Sequence, residues 1–538
     1  VALVGPSGAG KTSLAEALLW KAGALGAPGS VEKGSTVSDW DPVEKRSLRS
    51  LNSSLLHFEH RGITTHLIDT PGASDFLGQS LPALEAVETA AVVINAAAGI
   101  EPMAVRMMEW AKQRERDRLI VVNRIDAQGV DLQEILTAIQ AAFGKECLPV
   151  NLPAPRGERV LDCFWKLKDE GPPPAFSSVE AAHRALVEQV VEVDAAFVER
   201  YLNDGDVDPA ELHAPLEQAL REGHLVPICF VSSRTGVGVP ELLDVIERLL
   251  PDPTESNPPA FLQGEGEDAK PIQAVTDPDQ HVLAHVFKVT QDPYVGKMGV
   301  LRVHQGTITR DSQLYVGDGR RPFKVGHLFR LQGKELKEVA RAVPGDLCAI
   351  AKVEDLHFDA VLHDAAEDAH IHLKPLDFPV PVHGLAIAPK RRGDEQRLHD
   401  LLLKLVSEDP CLRVEHAAGT NETVIYGLGE LHLRTLLDRL TEVHNCQVET
   451  KPPRIAYRET ITAPAEGHHR HKKQTGGAGQ FGEVFLRVEP LPRGAGFEFV
   501  DEVKGGAIPG NFMPAVEKGV RQAMEQGVLT GHPVVDLK

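Results

Sequence analysis

The chain opens on an apolar run, Val1–Val4, followed by a polar, glycine-rich stretch and then Ser13-Leu-Ala-Glu-Ala-Leu-Leu, whose spacing predicts a helix. Strand, loop and helix in that order begin a recurring pattern. Ile63-Thr-Thr-His-Leu-Ile-Asp69 reads as a strand that ends in the turn Thr70-Pro-Gly72. Ala90–Asn95 and Leu119–Asn123 are continuous apolar runs, as strands buried on both faces require. Val226–Ser232 is a further strand, and Pro240–Leu250 after it has helical period. Residues 23–54 show little period and predict a mobile loop. This alternation predicts an α/β domain with a doubly wound parallel sheet.

The pattern then changes. Pro251 to Asp279 is rich in Pro, Gly and acid and reads as a linker. From Gln280 to about His372, short alternating runs such as His281–Val289 and Thr307–Val316 predict a small β-barrel. From Pro379 to about Lys451 strands and helices mix, with a strand from Val380, an amphipathic helix from Glu395 to Val406, and Glu422–Leu433 leading into a second helix. Glu466 to Gly482 is the most basic and glycine-rich stretch and predicts a loop, and Ile508–Pro514 predicts another. The expected boundaries are 1–255 with an insertion at about 144–223, a linker at 256–279, and domains at 280–374, 375–455 and 456–538.

The first loop carries chemistry. Gly5-x-x-x-x-Gly10-Lys11-Thr12 lies between a strand and a helix, where backbone N–H groups and the helix N-terminus favour an anion. Gly5, Gly8 and Gly10 permit the turn, Lys11 supplies a charge for the outer phosphates, the Thr12 hydroxyl can hold Mg²⁺, and Ser13 opens the helix. The loop implies a nucleoside triphosphate but neither its base nor its cleavage. Asp69, at the end of a strand, is placed to hold Mg²⁺ through water, and the Gly72 N–H to sense a γ-phosphate. Asn123 and Asp126 form a base reader. Asp126 can accept from N1–H and the exocyclic amino group of guanine, a donor pair adenine lacks. Ser232 and Ser233 are small enough to bring their backbone N–H groups to the base.

Composition narrows the class. A chain of 538 residues exceeds one core and predicts about three to five domains. With 42% hydrophobic and 25% charged residues it is an ordinary globular protein, and no apolar stretch reaches the length of a membrane span. The six scattered cysteines contain no C-x-x-C pair, which fits a reducing cytosol. A net charge of −20 argues against a DNA binder while leaving room for a local basic surface on RNA. The chain opens inside a strand without an initiator Met, as a trimmed fragment would.

The series Gly5–Thr12, Asp69-Thr-Pro-Gly72, Asn123-x-x-Asp126 and Ser232-Ser233 resembles the translational GTPases. Asp75-Phe76, Val92–Pro102, the long insertion after Gly144, Asp292–Gly296, Pro344-Gly-Asp346, Glu408-Asp-Pro410 and Gly427-x-Gly-Glu-Leu-His432 resemble the elongation factor G branch. The resemblance implies GTP and GDP as ligands with Mg²⁺. It implies a ferredoxin-like third domain and a partial fourth domain resembling a ribosomal protein, with the fifth domain absent after Lys538. It also implies a cytoplasmic monomer acting on the ribosome, with no membrane or DNA partner. Its task would be that of a GTPase in translocation or ribosome disassembly and recycling, with GTP hydrolysis driving conformational change and release. The stretches 467–482 and 508–514 would be tip loops reaching rRNA of the small subunit and the tRNA–mRNA complex. Taken alone, His468, His469 and His471 read as a solvated loop or weak metal site.

Several positions depart from the family pattern. Arg61-Gly-Ile-Thr64 imitates the first-switch motif but stands in a strand, so counting from Asp39-Trp40 places the switch hydroxyl at Ser50, a further Mg²⁺ ligand. Gly8 replaces an acidic residue, and Arg124 replaces the Lys whose stem covers the base. Ala73 stands where the family has the His that positions the attacking water, and a methyl group can neither accept nor donate. GTP binding is thus expected to be intact, with Lys11 and Gly72 as the catalytic candidates and no residue assigned in place of the missing His. The alternative function is a ribosome-bound switch with weak or no hydrolysis.

Overall fold

The computed structural model describes the chain except for residues 168–172, 194–196, 200–212, 258–259, 265, 293–294, 418, 475–476 and 478. Parts of the expected insertion, of the linker, of Asp292–Gly296 and of the 467–482 stretch therefore lie outside the described residues. The chain forms two compact units, Val1–Glu415 with Ile425–Thr450, and His416–Val424 with Lys451–Lys538.

The first unit begins with β1 (Ala2–Val4), α1 (Lys11–Lys21), α2 (Pro42–Ser47), β2 (Ser54–His60), β3 (Ile63–Asp69), α3 (Leu77–Glu85), β4 (Thr89–Asn95), α4 (Pro102–Gln113), β5 (Asp117–Asn123), α5 (Leu132–Phe143) and β6 (Cys147–Pro149). The strand Val226–Phe230 and helix Val239–Arg248 follow later. The sheet order is β2-β3-β1-β4-β5, then Val226–Phe230, then β6. All neighbours pair in parallel except the β2–β3 hairpin. Val92, Val93, Ile120, Val121 and Ile228 are wholly buried, and Leu14, Leu18 and Leu19 of α1 join the same core. Register sets the end of the sheet: Leu3 is opposite Asp69, and Asn95 is opposite Asn123. Strand ends, the first loop and the turn after β3 thus share one edge, as ligand sites of such sheets do.

β2 would be an open edge, but the chain covers it. Gly333 N donates to Leu55 O at 2.8 Å, and His57 N donates to Gln332 Oε1 at 2.8 Å. Those partners belong to an eight-stranded antiparallel sheet, in the place of the expected barrel, whose longest strands are Leu283–Asp292 and Gly296–Gln305. The expected single strand over 307–316 is instead two short ones, Ile308–Thr309 and Gln313–Val316, because Ser312 Oγ accepts from Thr309 N at 2.9 Å and turns the chain. Beyond this sheet, helices Glu395–Glu408 and Glu430–Glu442 pack Leu398, Leu402, Leu405, Leu433, Leu436 and Leu440 against Ile387 and Ile425.

The second unit differs from its sequence expectation. Most of the basic stretch is a hairpin, Ala465–Lys473 paired with Gln480–Val488 from Ala465↔Val488 to Lys473↔Gln480. Its charged positions point to both faces of an exposed ribbon, so no apolar alternation betrays the first strand. Ile508–Pro514 also ends in helix rather than loop, since Met513–Gln526 starts with Pro514 in its first turn. One carboxylate organises the end of this unit. Glu459 accepts from Val528 N (2.9 Å), Leu529 N (3.0 Å), Thr530 N (2.8 Å), Thr530 Oγ1 (2.8 Å) and His532 N (3.2 Å). Those backbone bonds hold its pKa well below the usual carboxylate range. Replacing it by Glu459→Ala should raise amide hydrogen exchange at Val528–His532 roughly tenfold or more without changing exchange in the hairpin. Equal protection in both proteins would show that the loop is held by something else.

Candidate nucleotide site

The first loop has the geometry its glycines allow. Gly5 has φ +128° with Val93 O only 2.6 Å from where a Cβ would stand, and Gly10 has φ +87° with Asn123 Nδ2 at 2.5 Å from such a Cβ. No side chain reaches either position without strain. Gly10 is the N-cap of α1 and makes no side-chain cap, so the first N–H groups of the helix stay open to an anion. Lys11 is buried and donates to Gly5 O at 2.8 Å and Pro6 O at 2.9 Å. Burial lowers its pKa, and Asp69 opposes that shift. Ser13 lies in the first turn of α1, and Gly8, at φ +84°, has open space around it.

Ser50 meets Thr12. Their hydroxyls share a hydrogen bond of 3.0 Å across 38 residues of chain. Asp69, Asp39 and Ser38 gather beside them. Both oxygens of Asp69, Oδ2 of Asp39 and Oγ of Ser38 are buried without a well-formed hydrogen bond. Burial raises the pKa of Asp69, and the neighbouring Asp39 raises it further. Buried anionic oxygens beside two hydroxyls suit a hard cation such as Mg²⁺. Among the described residues no three His, Cys, Asp or Glu side chains converge as a metal cage.

The segment predicted as a mobile loop is tied down. Glu16 of α1 accepts from Gly29 N at 2.7 Å and Val37 N at 2.6 Å. Asp41 caps α2 by accepting from Val43 N at 2.7 Å, and Glu44 accepts from Leu51 N and Asn52 N, each at 3.0 Å. Asp41-x-x-Glu44 is a capping box, a signal present in the sequence that announces α2. Burial, reinforced by Asp39, pushes the Glu44 pKa up to about 7. In the sequence Asp39 serves only as the point from which Ser50 is counted, yet it stands among these groups.

Gly72 lies against the first loop, with Lys11 Nζ and Ser7 N where a Cβ would go. Ala73 packs with Val43, Leu51, Phe76 and Leu431 in an apolar cluster. The Ser74 hydroxyl is exposed and donates to Asp75 Oδ1 at 3.4 Å. Asp75 in turn accepts from His432 N at 3.1 Å, at the start of helix Glu430–Glu442. Arg46 of α2 reaches Asp438 at 2.7 Å and Glu442 on that same helix. Arg61 pairs with Asp244 at 2.5 Å, and Thr64 lies within β3. The imitation motif therefore stands apart from the cation cluster.

At the base end, Asn123 ties three segments together. Its Nδ2 donates to Ala9 O at 3.0 Å and Gly10 O at 3.3 Å, and its Oδ1 accepts from Arg124 N at 2.8 Å and Ser233 N at 3.0 Å. Arg124 is exposed, with φ 63°. Here the sequence expectation needs correction. The N–H groups of Ser232 and Ser233 are committed to Val237 O (2.8 Å) and Asn123 Oδ1, so they do not face a base. Ser232 contributes its hydroxyl instead, donating to Asp126 Oδ1 at 2.6 Å. The strand closes into a tight turn that uses both amides internally.

The parallel sheet and this loop define a P-loop nucleotide-binding protein. Residues 1–252 match the profile described as "Elongation factor Tu GTP binding domain". Residues 281–364, 378–452 and 453–538 match elongation factor G domain 2, domain III and domain IV. An elongation factor G-like protein of Mycobacterium tuberculosis is 38% identical over 100% of this chain and 78% of its own length. An elongation factor G-like protein of Thermotoga maritima is 33% identical with the same coverage. A crystal structure of a Thermus thermophilus protein superposes with a TM-score of 0.83 at 34% identity, over 100% of this chain and 79% of that one. The chain belongs to the elongation factor G family of translational GTPases. Among its described residues no helix is long and apolar enough to cross a membrane.

Proposed function

We propose that this protein binds GTP and acts on the ribosome, using the nucleotide to change how α2 and the turn at Asp75 engage the helix beside them. The observation that carries the reading is the meeting of Thr12, Ser50 and the buried Asp69 carboxylate beside the first loop. Gly5, Gly8, Gly10, Lys11, Thr12 and Ser13 cradle the phosphates of GTP or GDP. Asn123, Arg124 and Asp126 form the guanine end, with the Ser232 hydroxyl holding Asp126 and the Ser233 amide holding Asn123. Thr12 and Ser50 would hold Mg²⁺ directly and Asp69 through water, and the ion when bound neutralises charge on the outer phosphates. Gly72 touches the same loop, and both α2 and the turn at Asp75 touch helix Glu430–Glu442. A phosphate-dependent shift in either would be felt by that helix. The exposed hairpin offers cationic side chains to rRNA or a tRNA–mRNA complex, and the uncharged 508–514 stretch would be a second tip toward the same RNA. The task is translocation or ribosome disassembly and recycling, carried out by a cytoplasmic monomer.

Ala73 favours a second reading, a ribosome-bound switch that hydrolyses GTP slowly. Its methyl group sits among Val43, Leu51, Phe76 and Leu431, and the nearby Ser74 hydroxyl is engaged with Asp75. The Ala73 methyl group has no donor or acceptor with which to position a water. Single-turnover GTP hydrolysis with and without ribosomes separates the readings. Strong stimulation of the native chain would sink the slow-switch reading. If instead the native rate stays low, Ala73→His should raise the stimulated rate by roughly 10²-fold or more, the usual worth of a placed acid–base group.

A further inference from the structure

The carboxylate assigned to guanine is already engaged in this structure. Asp126 Oδ1 accepts the Ser232 hydroxyl at 2.6 Å, and Oδ2 accepts two N–H groups of Arg234, Nε at 2.8 Å and Nη2. The Asp126 side chain is 12% exposed, and that of Arg234 is 78% exposed. The Ser232 hydroxyl also accepts from Thr235 N at 3.2 Å, which fixes it in the turn. Arg234 is the movable partner of the two.

Counting acceptor sites gives this contact a consequence. A carboxylate oxygen offers about two lone-pair sites. Arg234 fills both on Oδ2, and Ser232 leaves one on Oδ1. Guanine presents two donors on one edge, N1–H and the exocyclic amino group. Hypoxanthine presents N1–H alone. Guanine therefore needs one site more than Asp126 has free, whereas hypoxanthine does not.

We infer that Arg234 is a specificity-determining gate, competing with the exocyclic amino group of guanine for Asp126 Oδ2. It weakens guanine nucleotide binding and narrows the preference for guanine over hypoxanthine. The inference rests on Asp126 being the base reader. Displacement is within reach of a ligand, because an exposed guanidinium returns to water and such pairs are individually weak.

The test measures equilibrium binding of the fluorescent N-methylanthraniloyl forms of GDP and IDP to the full chain. Arg234→Ala should tighten GDP about fivefold and leave IDP within about twofold, so the ratio widens. Unchanged or weaker GDP binding would overturn the gate, since a guanidinium that supports the base plane gives the opposite sign. Equal tightening of both nucleotides would also overturn it, because it points to a general electrostatic effect. Asp126→Ala keeps the two failures apart. If that variant binds GDP as well as the native chain does, the base reading itself is wrong. If it binds GDP more weakly while Arg234→Ala fails to tighten it, only the gate is wrong. Arg234 is exposed, so an unchanged melting temperature confirms that its replacement leaves the fold intact.

Discussion

Asp126→Asn is expected to turn the preference of the site from guanine toward xanthine nucleotides. An Asn amide donates at one position where the carboxylate only accepts, and xanthine carries a carbonyl where guanine carries its amino group. Guanine affinity should fall by roughly one to two orders of magnitude, the worth of a hydrogen bond to a charged group at about 1.5–3 kcal/mol. The geometry supports a specific effect rather than collapse. Asp126 is held by Ser232 and Arg234, and an Asn side chain can keep the Ser232 contact through its remaining oxygen. Asn123, which carries the structural load of the turn, is untouched. Burial alone would raise the pKa of Asp126, but Ser232 and Arg234 hold it below the usual range, so the native carboxylate is ionised at neutral pH. Competition binding with GTP, XTP and ATP reads the outcome. Unchanged guanine selectivity in Asp126→Asn would refute the base assignment. ATP competing as well as GTP in the native chain would refute it independently.

Arg302→Ala should cost about 3–5 kcal/mol of stability, the usual consequence of breaking a buried pair from one side. Arg302, on strand Gly296–Gln305, is 5% exposed and pairs with Glu88, which is 18% exposed. Its Nη1 also donates to Ala86 O at 3.1 Å. Burial would raise the Glu88 pKa, but the guanidinium holds it below its ordinary value. Without Arg302 that carboxylate keeps its desolvation cost and loses its principal partner. Chemical denaturation checks the effect as a lower midpoint at unchanged slope. The double variant Arg302→Met with Glu88→Gln should recover much of the loss, since two neutral side chains leave no charge uncompensated. A loss below about 1 kcal/mol for Arg302→Ala would mean that water reaches the pair in solution.

These two residues also mark where sequence reasoning works and where it stops. The first loop, the strand endings at Asp69 and Asn123, and the parallel sheet were legible because each is local. Glycines at fixed offsets, an apolar run and a following helical period stand within about a dozen residues of one another. The position of Ser50 was reached by counting from Asp39-Trp40, and the position of Arg61-Gly-Ile-Thr64 within a strand followed from its closeness to Asp69. The capping box at Asp41 and Glu44 is equally local, but the six-residue helix it opens has too few turns to show a period.

The groups a nucleotide would need, and the order in which they come, are written in the chain itself. Which of them touch depends on the fold. Thr12 and Ser50 are 38 residues apart, Asp126 and Ser232 are 106, and Asp75 and His432 are 357. No local rule links residues so distant. Their meeting depends on sheet order, on Glu16 pinning the segment before Ser50, and on helix Glu430–Glu442 lying over the turn at Asp75. The same holds for Ser232 and Ser233, whose amides serve the turn rather than a base, and for the basic stretch, whose pairing across the hairpin outweighs its glycine-rich, charged composition. Backbone groups must find partners somewhere, and only the folded chain shows which partners they have found.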